Sequence, residues 1–268
     1  MLFQVTGRSN IFFKRSFILC AFATFGIYFI LILSLFYFLN SSTFFNLLLS
    51  YRTLYSLVLS LIAASLATIL SIAIGVPAAY ALSRYNFYGK EFVDTILELP
   101  MVVSPAALGA MLLIFFNNPI GLWINEHLIN FVFTIAGVVL AQFITTMGIA
   151  TRLIKTVIDE IPQRYENVAR GLGATPLKAF MMITLPLSKR GIISASILTW
   201  AKAFGEFGAT ITIAGSMPAN TETLPIAVFM RLSAADIEGT VVMILILTAI
   251  GLGILYIYKF FAKRFPYV

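Results

Sequence analysis

Long apolar stretches separated by shorter polar segments are the main feature of this chain. A membrane-spanning helix needs about 20 mostly apolar residues. Stretches of at least that length lie at Ser16–Leu39, Leu54–Leu82, Phe92–Phe116, Phe131–Leu153, Gly191–Ala214 and Thr240–Phe261. The pattern therefore predicts an all-α, polytopic membrane protein with six transmembrane helices.

Small and helix-breaking residues mark two kinds of position within these stretches. The second stretch has a small residue at every fourth position, which predicts a face where another helix approaches closely; these residues are Ala63, Ala67, Ser71, Gly75 and Ala79. Proline or glycine interrupts other stretches, at Pro100, Pro105, Gly205 and Gly208 among others. Interrupted helices are tolerated at membrane depth where they are buried in protein or line a watery cavity.

The composition agrees with a membrane protein and excludes several other classes. Hydrophobic residues make up 60% of the chain and charged residues only 11%, with a mean hydropathy of +0.97, whereas soluble domains carry about 25% charged residues. The single cysteine, Cys20, excludes a disulfide framework, and the lone histidine, His127, does not indicate a metal site. The net charge is +7, but the Lys and Arg residues cluster beside the apolar stretches. We therefore expect no nucleic-acid partner.

The distribution of basic residues predicts the orientation. Lys and Arg are enriched in cytoplasmic loops of membrane proteins. If the N-terminus is cytoplasmic, only Arg52 and Arg231 of the 18 Lys and Arg residues fall outside, and Lys202 lies within a span. We therefore expect a multi-pass protein of the cell (inner) membrane with both termini in the cytoplasm.

The longest polar segment, about 152–190, lies on the predicted cytoplasmic side between the fourth and fifth stretches. Gly173 allows a tight turn, and Thr175 followed by proline is typical of a helix start. The range Pro176–Ile183 then predicts a short helix near the membrane surface, with apolar side chains available to a partner.

This segment resembles the EAA loop of ATP-binding-cassette (ABC) importer permeases of type I, whose pattern is E-A-A-x3-G-x9-I-x-L-P. The matching positions are Asn167, Val168, Ala169, Gly173, Ile183, Leu185 and Pro186. The glutamate position holds Asn167, so the charged contact expected there is either lost or moved to Glu166. The resemblance implies a coupling loop to an ATPase formed by Glu166, Asn167, Ala169, Gly173, Ala174, Thr175, Pro176, Leu177 and Phe180.

The resemblance also implies how the complex is built. The chain has no G-x-x-x-x-G-K-[ST] phosphate loop and so is not itself expected to be an enzyme. ATP and Mg would be bound by two copies of a separate ABC ATPase, while this chain, without a cofactor, forms a homodimer in membrane lipid and receives substrate from an extracellular or periplasmic oxyanion-binding protein. The expected organisation is an N-terminal segment and first helix (1–50), a five-helix core (51–262) and a cytoplasmic tail (263–268).

Three further segments are similar to the molybdate, tungstate and sulfate branch of these permeases. They are S-R-Y-N-F-Y-G-K from Ser83 with the Leu99–Pro105 region, K-A-F-G-E-F-G-A-T from Lys202, and T-E-T-L-P from Thr221. Together with the EAA loop they extend the resemblance over about 51–260. The substrate implied is molybdate or tungstate, with sulfate as the alternative.

Lys202 and Glu206 are charges within a predicted span, where charged groups are usually paired or functional. Their spacing of four residues allows an ion pair on one helical face. The pair either braces the helix bundle or lies beside the translocation path. The candidate pathway or gate comprises Lys202, Gly205, Glu206, Gly208, Thr210 and Thr212, with Thr145 and Thr146 as further neutral donors.

Three other classes of membrane protein compete with this interpretation. An ion-coupled secondary transporter should show inverted repeats with matching broken helices, and no clear repeat is visible. A membrane enzyme would need a metal or nucleophile motif, and neither H-E-x-x-H nor a convincing nucleophile with a base occurs. A channel would be expected to carry a ring-forming charged segment, which is also missing.

Overall fold

The computed structural model describes residues 7–39 and 41–263, with side chains described for 13–39 and 44–256. Within those ranges every regular element is a helix. The helices are α1 (Gly7–Leu35), α2 (Ser41–Leu48), α3 (Tyr51–Arg84), α4 (Lys90–Leu97), α5 (Leu99–Val102), α6 (Pro105–Phe116), α7 (Pro119–His127), α8 (Ile135–Asp159), α9 (Arg164–Gly171), α10 (Pro176–Ala179), α11 (Leu185–Phe204), α12 (Gly208–Ala214), α13 (Leu224–Ser233) and α14 (Ile237–Lys263). Residues 1–6 of the predicted N-terminal segment and the predicted tail after 263 lie outside the described residues.

The described part of the chain confirms an all-α polytopic protein, but the six predicted transmembrane helices are not all continuous helices. Four helices are long and apolar enough to span a membrane, at Phe13–Phe38, Tyr51–Arg84, Ile135–Asp159 and Ile237–Tyr256. The predicted third span is instead bent by 113° between Lys90–Val102 and Pro105–Phe116. Ser104 and Pro105 start a new helix at the bend, since the Ser104 hydroxyl accepts a hydrogen bond from the Ala107 N–H.

The predicted fifth span is also divided. It begins earlier than expected, at Leu185, and α11 ends at Phe204, while α12 starts only at Gly208. Gly205 follows the last residue of α11, at the position where a helix commonly ends with glycine. Two of the predicted spans are therefore built from helix pieces that meet at breaks, and Ser104 and Gly205 at these breaks are exposed.

The core of the fold is formed by α3, α8 and α11. The small residues of α3 are all buried, which confirms the close-packing face: Ala63, Ala67, Ser71, Gly75 and Ala79. Helices α3 and α8 run side by side in the same direction, because Ser71 contacts Thr146 at 3.0 Å between hydroxyl oxygens and Gly75 faces Thr151 further along. This pair of long helices is the frame against which the other helices of the core pack.

Helix α1 differs from the other long helices because it packs on almost nothing in its own chain. None of the residues in the most apolar window of Phe13–Phe38 is buried. An apolar helix with no internal contacts needs lipid or another chain around it. The described core is therefore made by the residues after α1.

Candidate functional site

A buried cluster of four side chains joins the polar segment between α8 and α11 to the end of α3. Glu166, on α9, is 5% exposed. Its carboxylate accepts hydrogen bonds from the Tyr80 hydroxyl at 2.8 Å, from Arg84 Nε at 2.9 Å and from the Thr184 hydroxyl at 2.6 Å. We call Tyr80, Arg84, Glu166 and Thr184 the Glu166 cluster.

The environment of Glu166 keeps its side chain ionised. Burial raises the pKa of the Glu166 carboxyl, but the hydrogen bonds from Thr184, Tyr80 and Arg84, with the charge of Arg84, together lower it below its ordinary value. The folded state therefore contains a buried carboxylate with a matching guanidinium at neutral pH. Because the pKa is depressed, this contribution to stability is present above the ordinary pKa of glutamate and is lost as the pH falls through the depressed value.

Arg84 links three elements rather than two. Besides Glu166, its Nη2 donates to the carbonyl oxygens of Ile158 at 3.0 Å and Ile161 at 2.8 Å. Ile158 belongs to the last turn of α8 and Ile161 follows that helix, where carbonyl groups lack partners within the helix. The sequence analysis did not connect Tyr80, Arg84 and Thr184 with Glu166, because they are 86, 82 and 18 positions away in the chain. Arg84 was included there only as part of the S-R-Y-N-F-Y-G-K segment.

The turn after α9 has the geometry that the sequence predicts. Gly173 has a φ of +92°, and the Ala174 N–H donates to the Ala169 carbonyl oxygen at 3.0 Å. Thr175 then caps the next helix, because its hydroxyl accepts from the Lys178 N–H at 3.3 Å, and Pro176 occupies the first turn.

The short helix predicted at Pro176–Ile183 is not a separate element. Helix α10 continues through a π-helical turn, Phe180–Thr184, directly into α11. Pro186 explains the wider turn, because it has no N–H to give to the carbonyl four residues earlier. The polar segment is therefore connected to α11 by an uninterrupted run of helix from Pro176 onward.

The predicted coupling residues divide between an inner and an outer face. Glu166 and Phe180 face inward, and the Phe180 ring contacts the Tyr80 ring with 4.6 Å between centroids. Asn167 is exposed and Ala169 half-buried. The outward face has exposed apolar side chains at Val168, Leu172, Leu177, Met181 and Met182. An exposed apolar patch of this kind is typical of a surface that another protein covers.

The predicted pair within the membrane is formed. Lys202 Nζ lies 3.2 Å from Glu206 Oε2, and the Glu206 side chain is 1% exposed. The other oxygen of Glu206 accepts from the Ala209 N–H at 3.1 Å, at the start of α12. Glu206 therefore satisfies the first turn of α12 and neutralises Lys202 at the same time.

A groove of about 360 Å³ opens beside this pair, where the breaks in the two divided spans meet. It is lined by Ser104, Pro105, Ala106, Lys202, Gly205, Glu206, Phe207 and Gly208. Gly208 lies so close to α6 that an added Cβ would be 2.9 Å from the Ala106 nitrogen. The structure thus brings together Lys202, Gly205, Glu206 and Gly208.

The predicted threonine donors do not line this groove. Thr212 donates to the Gly208 carbonyl oxygen at 2.7 Å within its own helix, and the buried Thr210 hydroxyl has no partner among the described residues. Thr145 and Thr146 both donate to the Gln142 carbonyl oxygen in α8. In this conformation these hydroxyls belong to the helix packing.

At the end of α3 opposite the Glu166 cluster, the T-E-T-L-P segment is held against this helix. The Glu222 side chain has no exposed surface and accepts two hydrogen bonds from Arg52, with Nε at 2.9 Å and Nη2 at 2.7 Å. Two turns further along α3, the Ser60 hydroxyl accepts from the Leu224 N–H at 2.7 Å. The segment therefore forms a strap that is fixed to the first half of α3.

Comparison with known proteins identifies what this arrangement resembles. The family model described as "binding-protein-dependent transport system inner membrane component" matches residues 71–266. The molybdenum transport system permease protein ModB of Escherichia coli K12 is 36% identical over 180 residues, which are 65% of this chain and 77% of ModB. The sulfate transport system permease protein CysT of Salmonella typhimurium is 30% identical over 208 residues, 77% of this chain and 75% of CysT.

Solved structures show the same fold. A bacterial ABC transporter that imports the acidic polysaccharide alginate aligns with a TM-score of 0.76 at 16% identity, covering 97% of this chain and all of the other. The MetNI methionine ABC transporter in an inward-facing conformation aligns with a TM-score of 0.63 at 15% identity, covering 81% and 99%. At this level of identity, the likeness establishes the arrangement of helices alone.

Proposed function

Since the chain belongs to the family of binding-protein-dependent transport system inner membrane components and is the permease of an ABC importer, we propose that it carries molybdate or tungstate. The observation that carries this proposal is the 36% identity to the molybdenum permease over 180 residues. Sulfate is the second candidate, because the sulfate permease is 30% identical over a longer stretch of 208 residues. Membership of the family sets aside the secondary transporter, the membrane enzyme and the channel.

The groove beside Lys202 supports an anionic substrate. Lys202 is the only Lys or Arg among the groove-lining residues, and its side chain is 44% exposed. Its charge is balanced by the buried Glu206, so an anion passing there would meet the exposed ammonium end of a neutral ion pair and could leave again. Release matters as much as binding for a transporter, and a strong isolated charge would hold a dianion too tightly.

The cytoplasmic segment supports a proposal for how the transporter is assembled. The exposed apolar face from Val168 to Met182 supports docking of one ABC ATPase on each permease. Two ATPases, with ATP and Mg, then require two permease chains, and we propose a homodimer that receives oxyanion from a periplasmic or extracellular binding protein. Both termini would be cytoplasmic, on the same side as the Glu166 cluster. The domains are proposed as 1–50, 51–262 and 263–268.

ATP hydrolysis by the reconstituted complex tests the substrate. The permease, its cognate ATPase and its binding protein are placed in liposomes, and hydrolysis is measured while molybdate, tungstate or sulfate is added. We expect stimulation at lower concentrations of molybdate or tungstate than of sulfate. Preferential stimulation by sulfate would transfer the assignment to that anion, and no response to any of the three would overturn an oxyanion substrate.

Gly173 provides a test of the docking geometry. An L-residue in the left-handed region costs about 1–2 kcal/mol, and Gly173 has a φ of +92° with open space where a Cβ would be added. Gly173→Val should therefore lower oxyanion-stimulated hydrolysis several-fold by distorting the turn. Gly171→Ala is the matched control, since Gly171 also faces open space and has no positive φ; equal losses in both variants would show that the conformation of Gly173 is unimportant.

A further inference from the structure

The segment from α9 to the π-helical turn (164–184), which we call the docking segment, is attached to the spans by both of its chain ends and by side chains. Its N-terminal end follows α8 after only residues 160–163. Its C-terminal end continues as helix into α11. Its other described attachment is made by side chains and converges on α3, where Glu166 binds Tyr80 and Arg84 and the Phe180 ring contacts Tyr80. Any movement imposed on the docking segment reaches α3 through these few contacts.

Arg84 is the member of the Glu166 cluster that extends this link to α8. Its side chain is only 7% exposed, and its donors reach the carboxylate of α9 and the two carbonyl oxygens at the end of α8. A buried charged hydrogen bond is short, strong and little weakened by salt. One guanidinium thus holds the ends of α3, α8 and α9 in a fixed relation.

We propose that Arg84 is a positioning residue for energy coupling, through which displacement of the docking segment by the ATPase is passed to α3 and α8 together. The inference rests on the proposed function of the chain as an ATP-driven permease subunit. Without Arg84, the docking segment keeps its chain connections to α8 and α11 and its Tyr80 contacts, but Glu166 is no longer tied to the end of α8, and that end is no longer tied to α3 through Arg84. ATPase movement would then be taken up by residues 160–163 between α8 and α9 instead of moving α3 and α8 together.

The geometry requires arginine rather than any cation. A planar guanidinium presents several donors in fixed directions, whereas the lysine ammonium is a single point charge on a flexible stem. Lysine at position 84 can keep the ion pair with Glu166 but cannot also hold both carbonyl oxygens in the same arrangement. Arg84→Lys should therefore restore part of the coupling that Arg84→Ala loses.

The decisive measurement is the number of oxyanions transported per ATP hydrolysed. Proteoliposomes with the whole complex are compared for wild type, Arg84→Ala, Arg84→Lys and Glu166→Gln, after checking that the ATPase copurifies with each permease. We expect hydrolysis to continue in Arg84→Ala while transport per ATP falls by about tenfold, which corresponds to about 1.4 kcal/mol of coupling. Arg84→Lys should lie between Arg84→Ala and wild type.

Glu98→Gln is the matched control. Glu98 forms an ion pair with Arg152 at the same end of the bundle, but neither residue contacts the docking segment in the described contacts, and the Glu98 side chain is 44% exposed. Its replacement should leave transport per ATP unchanged, whereas the same substitution at Glu166 should lower it. An equal fall in both variants would indicate a general effect of charge and overturn the proposal.

The other outcomes separate this inference from the proposed function. If wild type does not couple oxyanion transport to ATP hydrolysis, the proposed function itself fails. If wild type is coupled and Arg84→Ala keeps the same transport per ATP, only the role of Arg84 is refuted. Should Arg84→Ala fail to assemble, Arg84→Lys and Glu166→Gln decide by the same ratio, and wild-type coupling in both would refute the role.

Discussion

Replacing Gly148 with alanine is expected to destabilise the permease strongly, although the change adds only one methyl group. A Cβ on Gly148 would lie only 2.0 Å from the Leu97 carbonyl oxygen and 3.1 Å from its carbon. The obstruction is backbone, so no side chain can rotate away, and α8 would have to separate from the bent span. Overpacking typically costs about 1–3 kcal/mol, and more where the backbone must shift.

Thermal unfolding of the purified permease in detergent measures this effect. We expect the midpoint of Gly148→Ala to fall by several degrees, with transport lost because the contact supports the bend near the groove. Gly253→Ala in α14 is the control, since nothing lies within 4 Å of its added Cβ and alanine favours helix over glycine. A Gly148→Ala protein as stable as Gly253→Ala would show that α8 and the bend are not packed as described.

The second large effect is a difference in stability between variants of the two partners in the Arg52–Glu222 ion pair. Arg52→Ala leaves the Glu222 carboxylate, which has no exposed surface, without its partner. Removing one member of a buried pair costs about 3–5 kcal/mol, because the remaining charge stays out of water. Glu222→Gln should be milder, since the Arg52 side chain is 40% exposed and can return to solvent.

The double variant provides the internal check. If the unpaired Glu222 carboxylate causes the loss of stability in Arg52→Ala, the double variant Arg52→Ala with Glu222→Gln should be more stable than Arg52→Ala alone. The stability changes of the two single variants are then not additive. The free energy of unfolding, or the thermal midpoint where unfolding is irreversible, measures it. Purely additive losses would mean that Glu222 does not depend on Arg52 for its charge.

The sequence predicted the features that depend on neighbouring residues. Apolar length located the four continuous spans, the Thr175–Pro176 pair located a helix start, and the four-residue spacing of Lys202 and Glu206 located an ion pair that is formed at 3.2 Å. Each follows from helix geometry over one or two turns. Such local rules need no knowledge of the rest of the fold.

Features that depend on distant residues could not be predicted in this way. The proline positions signalled a break in the third span, but its angle of 113° is a property of the folded chain, in which the two halves pack against α8 and α12. Glu166 and Arg84 are 82 positions apart, so only the folded chain shows that they are partners. Thr210 has the chemistry of a pathway donor, yet helix packing turns it away from the groove.

The unpacked first helix has a consequence for how this chain can evolve. Where lipid surrounds α1, almost any apolar side chain is tolerated. The sequence of α1 can therefore vary as long as its length and hydropathy are preserved. The small-residue face of α3 has no such freedom, because a larger side chain there would push α8 away.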